Sequence, residues 1–142
     1  WLGPINWQFM GTKKFNPEDF EGFLKLLPRE LAGRPLRHAI EVRNQTFKSE
    51  RFYDLARQYK VAIIFADDEE FPAIEEDTAD FTYARLMRTK EDVETGYTAK
   101  ELDGWAKRAK AWAKRGDAFI YFISGAKLRA PAAAEALIKR VA

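Results

Sequence analysis

Hydrophobic and polar positions in this chain switch repeatedly between a period of two and a period near four. In His38-Ala39-Ile40-Glu41-Val42-Arg43-Asn44 the β-branched Ile40 and Val42 alternate with Ala39, Glu41 and Arg43, which predicts a strand with two unlike faces. Ile5, Trp7 and Phe9 alternate with Asn6 and Gln8 in the same way. Val61-Ala62-Ile63-Ile64-Phe65-Ala66 is apolar throughout and ends in Asp67-Asp68-Glu69-Glu70, the pattern of a strand buried on both faces. From Phe81 to Met87, Tyr83 and Arg85 share one face while Ala84 and Leu86 share the other. Ala118 to Phe122 is the last strand. The expected strands are residues 3–9, 37–43, 61–67, 81–87 and 118–123.

Between them the period lengthens. Asn16-Pro17-Glu18-Asp19 carries an N-cap, a first-turn proline and first-turn acids, and Phe20, Phe23, Leu24 and Leu27 follow at helical spacing before Pro28. Gly33-Arg34-Pro35 predicts a turn, and Ser49 caps a helix with an apolar stripe of Phe52, Leu55, Ala56 and Tyr59. Thr98 and Glu101 form a capping box for a helix running from Ala99 to about Arg115, stopped by Gly116. Trp105 and Trp112 fall on its inward stripe. Ser124-Gly125 predicts a turn before a closing helix from Ala132 to Ala142.

Strands alternating with helices imply parallel βαβ units with right-handed crossovers. No strand is followed by a Gly-rich phosphate loop, which disfavours a nucleotide-binding Rossmann fold. Polar residues recur on one strand face: Gln8, Glu41 and Arg43, Asp67, Tyr83 and Arg85. An open sheet would bury these against apolar surface, whereas a closed barrel holds them inside, near the strand C-terminal ends where barrel sites lie. The fold class is therefore α/β, with a barrel favoured.

Composition narrows the chemistry. A chain of 142 residues, 46% hydrophobic, suffices for one core in one domain. With 24 Lys+Arg against 22 Asp+Glu, the charge balance does not argue for nucleic acid. The one basic concentration is Lys107, Arg108, Lys110, Lys114 and Arg115, read first as a solvated helix face. Cysteine is absent, and the single histidine, His38, removes His-rich metal sites and His-based triads. His38 opens a strand, which in a barrel is the stability face. No apolar run reaches membrane-spanning length and no signal peptide is visible, so a cytoplasmic protein without a membrane partner is expected. The chain starts at Trp1 without an initiator Met, as if entering mid-element, and reads as a fragment.

Leu2-Gly3-Pro4-Ile5-Asn6-Trp7-Gln8, His38-Ala39-Ile40-Glu41-Val42-Arg43, Ala66-Asp67, Asp80-Phe81-Thr82-Tyr83-Ala84-Arg85-Leu86, Tyr97 and Tyr121-Phe122 occur in order. As an ordered set they resemble the YecE-like family, domain of unknown function 72, over essentially the whole chain. The resemblance implies a TIM-type (β/α)8 barrel of which this chain is the C-terminal part, about five parallel strands with helices on the outer face. It supplies a fold and no reaction. The family pattern has a Trp near Phe47, His-Gly where Met87-Arg88 stand, and paired Asn where Ile123-Ser124 stand.

The constellation admits two readings. In the first, Glu41 and Asp67 act as catalytic carboxylates while Gln8, Arg43, Tyr83, Arg85 and Tyr121 bind a small anionic, sugar-like or phosphorylated ligand. All seven then converge on the face opposite the helices, with Arg43 and Arg85 as the cations nearest Asp67. In the second, the charges satisfy one another as a core ion-pair network. The acidic run Asp67–Glu70 supplies hard oxygen ligands but matches no calcium loop, and no metal is assigned. No cofactor is indicated. A small-molecule enzyme, a non-catalytic binding module (nucleic acid included) and an inactive barrel fragment all remain open. A part-barrel has two unpaired strand edges, so pairing with another copy or with a missing N-terminal part is expected.

Overall fold

The two-period pattern becomes an alternation of parallel strands and helices. The computed structural model describes residues 3–123 and 129–142. In chain order the elements are β1 (Ile5–Gln8), α1 (Pro17–Leu26), β2 (Glu30–Leu31), β3 (Arg34–Pro35) and β4 (His38–Glu41). A 3₁₀ turn (Gln45–Phe47), α2 (Glu50–Gln58), β5 (Ala62–Ile63), β6 (Phe65–Asp67) and β7 (Phe81–Leu86) follow. The chain continues through α3 (Ala99–Arg115), β8 (Asp117–Phe122) and α4 (Ala130–Val141). The expected Ser124-Gly125 turn lies outside the described residues.

Local chemistry sets the helix ends. Asn16 accepts from the Asp19 N–H with Pro17 at the first helical position, and Ser49 accepts from the Phe52 N–H. Both halves of the Thr98–Glu101 capping box form. Each cap satisfies donors that a helix start leaves open. Gly116 stops α3 where the backbones nearly touch, since a Cβ there would stand 2.1 Å from the Asp80 carbonyl oxygen. The turn expected over 33–35 is a short antiparallel hairpin, β2 with β3, closed by Ala32 at φ 54° and Gly33 at φ 78°. Two consecutive positive φ angles match the twist of the flanking strands.

β1, β4 and β5 form one parallel sheet; β6, β7 and β8 form another. The run expected as one strand over 61–67 is divided. Ala62 and Ile63 pair with β4, the Ile64 N–H still donates to the Ile40 carbonyl at 2.9 Å, and Phe65–Asp67 pair with β7. Strand twist allows a short segment to serve one neighbour at its start and the other at its end. Among the described residues the strands close no barrel, and β1 and β8 each pair on one side.

In a parallel ladder, residues in register point to the same side. Ile40, Val42, Val61 and Ile63 face α1 and α2, packing on Phe20, Leu24, Phe52 and Leu55. Phe65, Ala84 and Leu86 face α3 and α4, against Leu102, Trp112 and Ala133. Trp112 is buried and Trp105 packs at the edge of that cluster. The opposite face carries a third cluster of Ala39, Ala62, Ile64, Phe81 and Tyr83. This is the inner face.

Candidate functional site

Glu41 ends β4 on the inner face with 0% of its surface exposed. A buried carboxylate must be paired, and two arginines pair it. Arg43 lies just past the strand end and donates from Nε at 3.2 Å and Nη2 at 3.0 Å to Glu41 Oε1. Arg85 reaches Glu41 Oε2 from β7 through its Nη1. The Arg43 guanidinium also lies 4.7 Å from the Phe71 ring centroid, a cation–π contact from the loop after β6. With both oxygens taken, Glu41 holds two guanidiniums in place and presents no open base.

Arg85 is 8% exposed, and its Nε has no hydrogen-bond partner among the described residues. Tyr83, two residues back on the same strand, stacks on Tyr121 with centroids 5.1 Å apart and rings inclined by 29°. Burial pushes the Tyr83 phenol above its ordinary value, and Tyr121 adds to the rise; a hydrogen bond from Asn6 opposes it. The Asn6 Oδ1 is itself buried without a partner among the described residues. Gln8 stands in register with Glu41, and Tyr121 with Arg85, so both share the inner face. Gln8 is exposed at the edge strand.

Asp67 departs from the expected convergence. It is in register with Leu86, a helix-facing residue, whereas Ala66 is in register with Arg85. Asp67 therefore points away from Glu41, toward α3. Its cation is Arg88, not Arg43 or Arg85: Arg88 donates from Nε at 3.0 Å and Nη2 at 2.5 Å to Asp67 Oδ1. Tyr97 donates its hydroxyl to Asp67 Oδ2 at 3.0 Å and accepts the Arg88 backbone N–H at 3.1 Å. Burial raises the Tyr97 hydroxyl well above the tyrosine range. The hydrogen bond to Asp67 is the leading cause of a rise for Arg88. The reason for the mismatch is the strand itself. A run apolar on both faces gives no hint of which face its last residue takes, and the parity of Phe65 decides it.

The structure thus brings together Glu41, Arg43 and Arg85 by direct contact, with Tyr83, Tyr121 and Gln8 on the same face, and places Asp67 on the other. Sequence reasoning left out Asn6, although it alternates in step with Gln8. It also left out Phe71 and Arg88, which carry no periodic signal.

Other expectations resolve simply. His38 is buried, accepts from Trp7 Nε1 on Nδ1 at 3.0 Å, and donates from Nε2 to the Pro28 carbonyl at 2.6 Å. Its two partners fix one neutral tautomer and leave it structural. In the basic run of α3, Arg108 turns to Glu75 at 2.6 Å and Arg115 to Asp77 at 2.5 Å. Two of those five cations are thus bound to the chain's own acids rather than displayed to a polyanion. Among the described residues, no three His, Cys, Asp or Glu side chains gather as a metal site, and no helix is long and apolar enough to cross a membrane.

Residues 1–142 match the family described as "Protein of unknown function DUF72". A crystal structure of a DUF72 family protein from Thermotoga maritima superposes with a TM-score of 0.69 at 21% identity, covering 94% of this chain and 54% of that one. For a DUF72 family protein from Enterococcus faecalis the TM-score is 0.72 at 15% identity, covering 96% and 59%. At such identities the likeness is one of fold. The chain spans between 54% and 59% of the length of these relatives. No curated protein matches the chain. With its ordered strand motifs and a match that runs over residues 1–142, the chain belongs to the DUF72 family.

Proposed function

We propose that the inner face binds a small anionic or hydroxylated molecule at the C-terminal ends of the strands, as the site of a small-molecule enzyme. In this reading the chain is one domain, the C-terminal part of a TIM-type (β/α)8 barrel, and its inner face is the barrel interior. The observation that supports it is Arg85, a guanidinium nine-tenths buried whose Nε–H has no partner among the described residues. A donor left dry and unpaired costs stability unless a ligand or water completes it. Glu41 positions Arg85 and Arg43; Tyr83, Tyr121 and Gln8 line the ligand. Asp67 stands apart, so catalysis through a pair of facing carboxylates is not part of this reading.

Thermal unfolding with a panel of small anions tests it. Saturating binding at a hundredfold excess over Kd stabilises by about 2.7 kcal/mol. At least one anion raises the midpoint, and Arg85→Ala removes the rise. Stabilisation that survives Arg85→Ala, or none with any anion, overturns the site.

The one-sided pairing of β1 and β8 supports a second element, pairing of these edges with further strands of a longer polypeptide or with a second copy. A monodisperse 16.4 kDa species in sedimentation of this chain counts against it.

A further inference from the structure

The two buried acids Glu41 and Asp67 are each met side-on by one arginine, and Arg85 does not follow that geometry. A guanidinium has a side-on edge on which Nε–H and one terminal N–H lie parallel, matched to carboxylate and phosphate oxygens. Arg43 uses Nε and Nη2 together on Glu41 Oε1, and Arg88 uses Nε and Nη2 together on Asp67 Oδ1. Arg85 instead spends Nη1 on Glu41. Among the described residues its Nε, the inner end of the Nε–Nη2 edge, is buried without a hydrogen-bond partner. That edge is a prepared position for a two-oxygen anion.

Charge selects between the two anions that fit. On the inner face Glu41 is matched with Arg43 and Arg85, two guanidiniums against one carboxylate, which leaves one positive charge. Asp67 and Arg88 neutralise each other on the opposite face. A carboxylate carries a single negative charge, whereas a phosphate monoester carries about −1.5 to −2 at pH 7. One carboxylate closes the balance; a phosphate exceeds it.

The surroundings specify the rest of the ligand. Among the described residues Asn6 Oδ1 is a buried acceptor without a partner, and the Asn6 side chain lies beside Tyr83. It asks for a hydroxyl donor. Tyr121 is 41% exposed and stacks on Tyr83, offering an aromatic surface at the open side. Resting on the ligand-site reading above, we infer that the ligand is a hydroxylated monocarboxylate of the sugar-acid type. Its carboxylate takes the side-on edge of Arg85, and a hydroxyl donates to Asn6 Oδ1.

Calorimetric titration of the full chain with glucuronate, glucose, glucose 6-phosphate and acetate tests this. Glucuronate binds saturably, glucose does not, and glucose 6-phosphate binds more weakly than glucuronate. Arg85→Lys keeps the charge but loses the side-on edge, and weakens glucuronate by roughly tenfold or more. Asn6→Ala, at a half-buried edge-strand position, weakens glucuronate and leaves acetate unchanged, a split that simple loss of fold does not produce. Glucose 6-phosphate binding tighter than glucuronate, with Arg85→Lys still weakening both, overturns the monocarboxylate while the ligand site stands. Absence of binding by every anion, or binding indifferent to both variants, overturns the site as well.

Discussion

Glu41 and Asp67 are two buried acids at the ends of neighbouring strand segments, and each accepts three hydrogen bonds. By that measure they look alike. Their partners differ. Asp67 is met by one cation and one neutral hydroxyl, so its cluster carries no net charge. Arg88 is 51% exposed, so the cation stays in water. Glu41 is met by two cations, one of them buried, and the cluster keeps a positive charge and, among the described residues, an unspent donor. The difference separates a closed structural ion pair from a prepared site: what matters is the charge and donors left over, not the bonds already made.

The sharpest way to break the comparison is to remove each acid. Glu41→Ala strands a buried guanidinium beside a second cation, and loss of one partner of a buried pair costs about 3–5 kcal/mol. Asp67→Asn keeps an acceptor for Tyr97 and leaves Arg88 solvated, so the cost is that of a weakened charged hydrogen bond, about 1–2 kcal/mol. Urea unfolding of both variants checks the order. Equal losses, or a larger loss for Asp67→Asn, erase the distinction between the two clusters.

Much of this arrangement is legible in the sequence because strand alternation is strict. The faces of Glu41, Tyr83 and Arg85 follow from the apolar neighbours Ile40, Val42, Ala84 and Leu86, and register carries Gln8 and Tyr121 with them. The helix caps at Asn16, Ser49 and Thr98 were equally readable, since a cap is a local interaction. Asp67 was not readable, because a doubly buried strand carries no facial contrast. The handover at Ile64 depends on how neighbouring strands twist, which no local pattern encodes. Arg88 and Tyr97 meet Asp67 from a loop whose path is set by tertiary packing.

The hydroxyl in the Asp67 cluster gives a smaller effect with a pH signature. Tyr97→Phe removes a buried donor to Asp67, at a cost of about 1 kcal/mol. The folded pKa of Tyr97 is raised above the ordinary 10.0 chiefly by burial, so the folded protein holds this proton more tightly than the unfolded chain. Linkage then makes the stabilisation full below about pH 10 and progressively lost as pH rises toward the folded value. Tyr83 is also raised by burial, so Tyr97→Phe shortens the alkaline fall rather than abolishing it. An alkaline limb unchanged in the variant would show that Asp67 is not sealed by a neutral hydroxyl.

The smallest effect concerns Glu101, which lines the same shallow cavity as Asp67 and Arg88 but belongs to the helix cap. Its pKa is lowered first by the Thr98 backbone N–H, with the Thr98 hydroxyl and Lys90 assisting. A lowered carboxylate contributes stability above its unfolded value, near 4.5, that is lost as pH falls through the folded value. The side chain is 38% exposed and its Lys90 contact is 3.4 Å, so solvent screens the pair and Glu101→Gln costs roughly 0.5 kcal/mol at neutral pH. The difference from the parent chain should vanish as the pH is taken down through that window. If it persists in acid, the loss is one of packing around α3, and the charged cap has no part in holding the helix start beside Asp67.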